Sequence, residues 1–286
     1  GGSGIPASGG SGIPASGGSG SGLRAMGWSD VLAIAWRQVR QNLWNPGMAA
    51  LTFAMPLFFG LLAAQMNPAP ALPQNGVSLM APGAADPESS SRFLIYWGIV
   101  TMFVLMTALM NGAALLEERE GRTMARLIVQ GVTYGEVIVG HSFALWVSAF
   151  VQMVILLGVA AGLGFLPAAL LPMVLLICAV FSLTVAALGV AAAGFSGNAN
   201  RLRTIGGIAA TVVAMLGGAW WPLELSPEII RQLGTLSPIY WVIEATHRGV
   251  MLGATPAQSW LPLLALLLFA GAGGTLGVWA TRRWFG

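Results

Sequence analysis

Val137–Asn200 reads VIVGHSFALWVSAFVQMVILLGVAAGLGFLPAALLPMVLLICAVFSLTVAALGVAAAGFSGNAN, without one Asp, Glu or Arg. It is too long for a single pass through a bilayer, since a spanning helix takes about 20 apolar residues. Gly164–Pro167 interrupts it once, so it divides into Val137–Leu163 and Ala168–Gly194, antiparallel neighbours joined by a short turn. Outward from this stretch, four more runs have the same character: Gly47–Met66, Phe93–Leu116, Thr204–Trp221 and Trp260–Thr281. The expected fold class is all-α integral membrane with six transmembrane helices.

Composition agrees. Of 286 residues 56% are hydrophobic and 8% charged, and mean hydropathy is +0.77. Soluble domains carry about 25% charge, so lipid must be the solvent for most of this chain. The net charge of +3 comes from 13 basic against 10 acidic residues, too few for a nucleic-acid footprint. All the basic residues are arginine. Without lysine there is no phosphate-binding loop of the Gly-Lys-Ser/Thr kind and no Schiff-base chemistry. Cys178 is the single cysteine, which excludes an intrachain disulfide and a cysteine-rich metal site.

Gly1–Ser8, GGSGIPAS, is repeated at Gly9–Ser16 and followed by GGSGSG. A tandem Gly/Ser repeat of this kind reads as a fusion linker, so residues 1–22 are set apart from the membrane domain of residues 23–286. Arginine placement orients that domain. Arg24, Arg37, Arg40, Arg119, Arg122, Arg126, Arg201, Arg203, Arg282 and Arg283 share one side of a six-span chain; Arg92, Arg231 and Arg248 fall on the other. Both termini are therefore expected in the cytoplasm.

Four elements lie outside the spans. In Ser29–Trp44, Ser29 and Asp30 suit a helix start. Val31, Leu32, Ala35, Trp36, Val39 and Leu43 then share one face, with Arg37, Arg40 and Gln41 opposite. That pattern predicts a basic amphipathic helix lying in the interface. Asn67–Arg92 is a proline-rich external loop without strong periodicity. Glu117–Glu136 (EEREGRTMARLIVQGVTYGE) is dense in charge, and Thr123–Val129 reads as a short helix after Gly121. A plain connector needs only a few residues, so a helix here suggests docking to a cytoplasmic partner. In Trp220–Gly253, Ser226-Pro227-Glu228 and Ser237-Pro238 are helix starts. The helices they begin, about Pro227–Leu233 and Pro238–Arg248, are apolar but too short to span, which predicts a re-entrant external hairpin. Glu244 within it is expected to face protein or water, or to pair with Arg248.

With these residues in view, the chain resembles the permease subunit of an ABC-2-type (type V fold) ABC exporter. Arg37–Pro46 with Pro56 is similar to that family's interfacial helix and its entry into the first span. Glu118-Arg119-Glu120-Gly121-Arg122-Thr123-Met124-Ala125-Arg126-Leu127 resembles its coupling helix. Gly217-Gly218-Ala219-Trp220-Trp221-Pro222-Leu223-Glu224, with Pro227, Ser237-Pro238 and Glu244-Ala245, resembles its external hairpin. Two positions depart from the pattern: Val132, where the family often has proline, and Gly140-His141, where it often has Gly-Lys. His141 is then expected as an interfacial residue.

The resemblance implies a dimer of permeases, identical or paralogous, in the inner membrane of a prokaryote. Each would dock a cytoplasmic ABC ATPase that holds ATP and Mg2+, this chain holding no cofactor and being no enzyme itself. It implies ATPase coupling through Glu118, Glu120, Gly121, Arg122, Thr123, Arg126, Leu127 and Ile128, and an interfacial helix carrying Arg37 and Arg40. The adjacent indoles Trp220 and Trp221, with Pro222 and Glu244 of the hairpin, are expected to close the external end of the pathway. An uncharged interior suggests a hydrophobic or amphiphilic substrate.

Two other function classes compete. A motor-less channel or structural membrane protein would share the composition, but the spans carry no ion relay or selectivity ring. Gly194-Phe195-Ser196-Gly197 is similar to the serine motif of rhomboid-type proteases, which need a histidine within reach of the serine. Trp260–Thr281 supplies none.

Overall fold

A computed structural model describes residues 32–33, 35–37, 39–40, 46–66, 87–121, 133–221, 223, 226–253 and 255–284. Residues 1–31, most of the external loop and the stretch 122–132 lie outside the described residues. Every regular element among the described residues is helical. The first membrane helix, α1, joins Pro46–Ala49, a π-helical turn Ala50–Ala54 and Met55–Met66. Then follow α2 (Pro87–Asn111), α3 (Ala113–Glu120), α4 (Tyr134–Gly162), α5 (Leu171–Ser196), α6 (Ala199–Leu216), α7 (Glu228–Gly234), α8 (Pro238–Met251) and α9 (Trp260–Arg282).

Five stretches are long and apolar enough to cross a membrane: Pro46–Gln65, Glu88–Glu120, Tyr134–Gly162, Ala168–Ser196 and Trp260–Arg282. The chain is thus a multi-pass membrane protein. The remaining predicted span, Thr204–Trp221, is displaced towards the N-terminus as α6. Asn200, Arg201 and Arg203 occupy its first turns and Gly217 ends it, which lowers its apolarity below that of the other five. The external loop also ends sooner than the sequence suggests, because Pro87 and Glu88 open α2 and Glu88 pairs with Arg92 at 2.5 Å.

Local chemistry explains the boundaries. Thr133 and Glu136 form a capping box at the start of α4: the Glu136 amide donates to the Thr133 hydroxyl, and the Thr133 amide donates to the Glu136 carboxylate. Asn198 caps α6 by accepting from the Arg201 amide at 3.0 Å. Ser237 caps α8 by accepting from the Ile239 amide. For α7 the cap is Pro227, which provides no side-chain acceptor, rather than the expected Ser226.

In lipid, helices gain little from hydrophobic association and rely on close packing and hydrogen bonds. α2 lies at the centre, with Phe93, Tyr96, Trp97, Val100 and Val104 buried, and the Tyr96 hydroxyl donates to the Leu156 carbonyl of α4 at 2.9 Å. α2 and α5 touch backbone to backbone at two glycines. A Cβ on Gly112 would stand 2.4 Å from the Gly189 carbonyl oxygen, and one on Gly189 2.7 Å from that of Ala108.

Two helix directions follow from paired residues. Thr184 of α5 donates to the Leu266 carbonyl of α9, Gly273 lies against Leu188, and Gly194 against Ala280, so α5 and α9 run parallel. Beside α2, Arg203 of α6 meets Glu117, Gly206 meets Leu109, and Ala219 just beyond α6 meets Gly98, so α6 runs antiparallel to α2 along most of its length. α8 is wedged among these helices, with Ile239, Val242, Ala245 and Thr246 fully buried. Outward faces stay apolar, with Phe58, Ile208, Leu264 and Leu268 exposed, as a membrane-facing surface requires.

Candidate functional site

Four consecutive residues at the end of α3 each engage a different partner. The Glu117 carboxylate pairs with Arg203 of α6 at 2.5 Å. Glu118 pairs with Arg37 and lies 3.5 Å from the His141 ring of α4. Arg119 stacks its guanidinium 4.7 Å from the Trp284 ring centroid, just past α9. Glu120 accepts from the Ala199 amide at 3.0 Å, at the N-terminus of α6, where the helix dipole favours an anion.

α3 can make this collar because its apolar side is sunk in the bundle. Ala113, Leu115 and Leu116 pack in one cluster with Val137, Ile138, Leu145, Ala186, Val190 and Leu202. The break at Gly112 separates α3 from α2, and Gly121 ends it. The charged residues then project at one end of the molecule, together with the start of α4, the α5–α6 junction and the end of α9.

The N-terminal segment that the sequence assigns to the interface reaches the same place. Leu32, Ala33, Ala35, Trp36, Arg37, Val39 and Arg40 are helical. Ala35 and Val39 are buried against Ala144 of α4, with Val147 beside them. Leu32 and Trp36 point outward, and Arg40 is exposed. The helix is therefore apolar on two sides, one towards protein and one outward, with Arg37 turned to the collar.

His141 differs from expectation. It is buried rather than interfacial, its Nδ1 lying 3.0 Å from the Val137 carbonyl and its Nε2 turned towards Glu118. Glu118 and Glu120, expected to be presented to a partner, are held within the chain. Gly121 is exposed at the very start of the loop. Arg122, Thr123, Arg126, Leu127 and Ile128 lie outside the described residues. No single residue of the collar announces this arrangement in the sequence, because its partners are distant in the chain.

At the opposite end, Trp220 and Trp221 follow α6 and both are exposed. The Trp220 indole N–H reaches the Met102 sulfur of α2 at 3.2 Å. Pro222 lies outside the described residues. The short helices appear where expected, as α7 and α8, and their junction seats on the end of α6: Ser237 donates to the Val213 carbonyl at 2.8 Å. Gly217 permits that seat, since a Cβ there would stand 2.6 Å from the Ser237 hydroxyl. Glu244 accepts from Arg248 at 2.6 Å, so this carboxylate is paired along its own helix.

The serine of the GxSG motif ends α5. Its hydroxyl donates to the Asn198 carbonyl at 3.1 Å, and Gly197 follows at φ 70°. His141 faces Glu118 and the Val137 carbonyl instead. Ser196 thus closes a helix end and has no base beside it among the described residues.

A family model described as "ABC-2 family transporter protein" matches residues 64–279. The linearmycin resistance permease protein LnrN of Bacillus subtilis (strain 168) is 24% identical over 192 residues, 65% of this chain and 47% of that protein. The chain therefore spans about half the length of this curated relative.

Proposed function

The chain belongs to the ABC-2 family of transporter proteins, and from that premise we propose that it is the permease subunit of an ABC exporter. It moves a hydrophobic or amphiphilic compound outward, using ATP hydrolysed with Mg2+ on a separate cytoplasmic ATPase. The collar Glu117–Glu120 is the observation that carries this reading. The loop that begins at Gly121 leaves a helix packed on α4 and fastened to α6, the interfacial segment and the end of α9. A push on that loop reaches most of the bundle at once.

Within this reading Gly121, Arg122, Thr123, Arg126, Leu127 and Ile128 form the docking loop, and Glu118 and Glu120 pass its displacement on. Arg37 and Arg40 hold the interfacial helix. Six crossings are supported by the parallel packing of α5 and α9: the chain must return across the bundle between them, and α6 is the helix that does so. Its 18 residues are about 27 Å long, close to a hydrocarbon core of about 30 Å. The arginine asymmetry then puts the collar and both termini in the cytoplasm and α7–α8 outside as a re-entrant hairpin. Trp220, Trp221, Pro222 and Glu244 close that external end.

A second copy or a paralogue completes the pathway in a prokaryotic inner membrane. Gly207, Gly271 and Gly274 leave open space for close approach. Gly206, Gly217, Gly273 and Gly277 are already used within the subunit. The relative's name refers to linearmycin resistance, which supports an exported bioactive compound as the substrate class. Affinity capture of the chain from its native membrane tests the assignment. An ABC ATPase should co-purify in a stoichiometric amount; a chain recovered without any ATPase contradicts it.

A further inference from the structure

Pro56 sits within the first membrane helix and has no backbone N–H. In a regular α-helix the residue four positions earlier, Thr52, would therefore keep an unpaired carbonyl, and the proline ring would press against it. At this place the helix opens into the π turn Ala50–Ala54. Water cannot take up such a carbonyl in lipid, so another donor has to come from the protein.

The donor is on α4. Gln152 Nε2 donates to the Thr52 carbonyl at 2.8 Å. The other half of the same amide, Oε1, accepts from the Thr107 hydroxyl of α2 at 2.9 Å. Thr52, Thr107 and Gln152 are all buried, Gln152 at 1% exposure. One turn away on α4, Ser148 turns a buried hydroxyl without a partner towards a cavity it lines with Thr52, Thr107, Asn111 and Gln152. A glutamine in the middle of a span is costly unless both ends of its amide are satisfied, and here both are.

We propose that Gln152 is a positioning residue: it replaces the N–H that Pro56 lacks and latches the π turn of α1 onto α4 and, through Thr107, onto α2. The latch lies between the end of α1 that follows the interfacial segment and its other half, Met55–Met66. It thus fixes how far the second half of α1 can swing relative to the first. This is a property of the fold and does not depend on which compound the protein moves.

The test is a double-mutant cycle on the purified full-length chain in detergent, read as the thermal midpoint for loss of monodisperse protein. Gln152→Met keeps the length of the side chain and removes the donor; its midpoint should fall by about 3–6 °C. Pro56→Ala restores an N–H for Thr52, so in that background the same change should cost less than half as much. Ser148→Ala, in the same cavity but without a bond to Thr52, should leave the midpoint unchanged. An equal loss from Gln152→Met in both backgrounds overturns the latch, as does an equal loss from Ser148→Ala or a Pro56→Ala chain that does not fold. Should Gln152→Met alone fail to fold, the Pro56→Ala/Gln152→Met chain must fold; failure of both also overturns it.

Discussion

Arg37 and Glu118, 81 positions apart in the chain, form an ion pair that ties the interfacial segment to the end of α3. The pair is asymmetric: the Arg37 side chain is 40% exposed and that of Glu118 11%. Glu118 is therefore the partner that would be left stranded, with the His141 ring 3.5 Å away. The pair joins the N-terminal helical segment that carries Arg37 to the residues that lead into the loop after Gly121.

Exchanging the charges tests that pair. Arg37→Glu and Glu118→Arg should each lower the thermal midpoint, and the double exchange should recover part of the loss. A coupling of about 1 kcal/mol is expected, at the upper end for exposed pairs because Glu118 is mostly covered. Additive losses would show that the two residues do not act together.

The glycine contact between α2 and α5 makes a sharper demand. Gly112→Val adds a branched side chain where a single Cβ would already stand 2.4 Å from the Gly189 carbonyl oxygen. Overpacking of this kind costs about 1–3 kcal/mol. Gly207→Val, where the added carbon meets nothing within 4 Å, should be tolerated within the single subunit. Denaturation in mild detergent compares the two.

Topology is testable by labelling. In a Cys178→Ser background, a single cysteine at position 89 should react with a membrane-impermeant maleimide in intact cells, and one at position 196 only after the membrane is permeabilised. Labelling of both from outside would remove the odd number of crossings that the reading places between them.

Much of this fold is legible in the sequence because lipid imposes a simple rule. A run such as Val137–Leu163 has to be a helix, and Gly164 at φ 77° has to be its turn. The misplacement of α6 has an equally simple cause: Arg201 and Arg203 resemble the edge of a span, yet the Asn198 cap takes the Arg201 amide and Glu117 pairs with Arg203, which draws both into the helix. The collar is opaque for another reason. Glu117, Glu118 and Glu120 look like a solvated run, and their partners at Arg203, Arg37 and Ala199 become visible only when the chain is folded. Pro56 is readable as a break in a helix, whereas nothing in the sequence links it to Gln152, which stands 96 positions away on α4.

At the far end, Trp220 and Trp221 replaced together by alanine should raise basal ATP turnover or leak in the assembled complex if they close the pathway. An aromatic belt facing lipid predicts unchanged turnover and leak, and the exposure of both indoles makes that comparison decisive.

In the proposed function the loop after Gly121 docks on a separate ATPase and the collar Glu117–Glu120 transmits its stroke. Leu127→Asp tests it most directly, in the chain co-expressed with the ATPase that co-purifies with it. Loss of one well-packed contact of this kind costs about 2–4 kcal/mol, so the variant should insert and dimerise normally while retention of the ATPase, or its coupled ATP turnover, falls at least tenfold. Full ATPase binding and unchanged turnover in the Leu127→Asp chain would show that the ATPase does not dock through this loop.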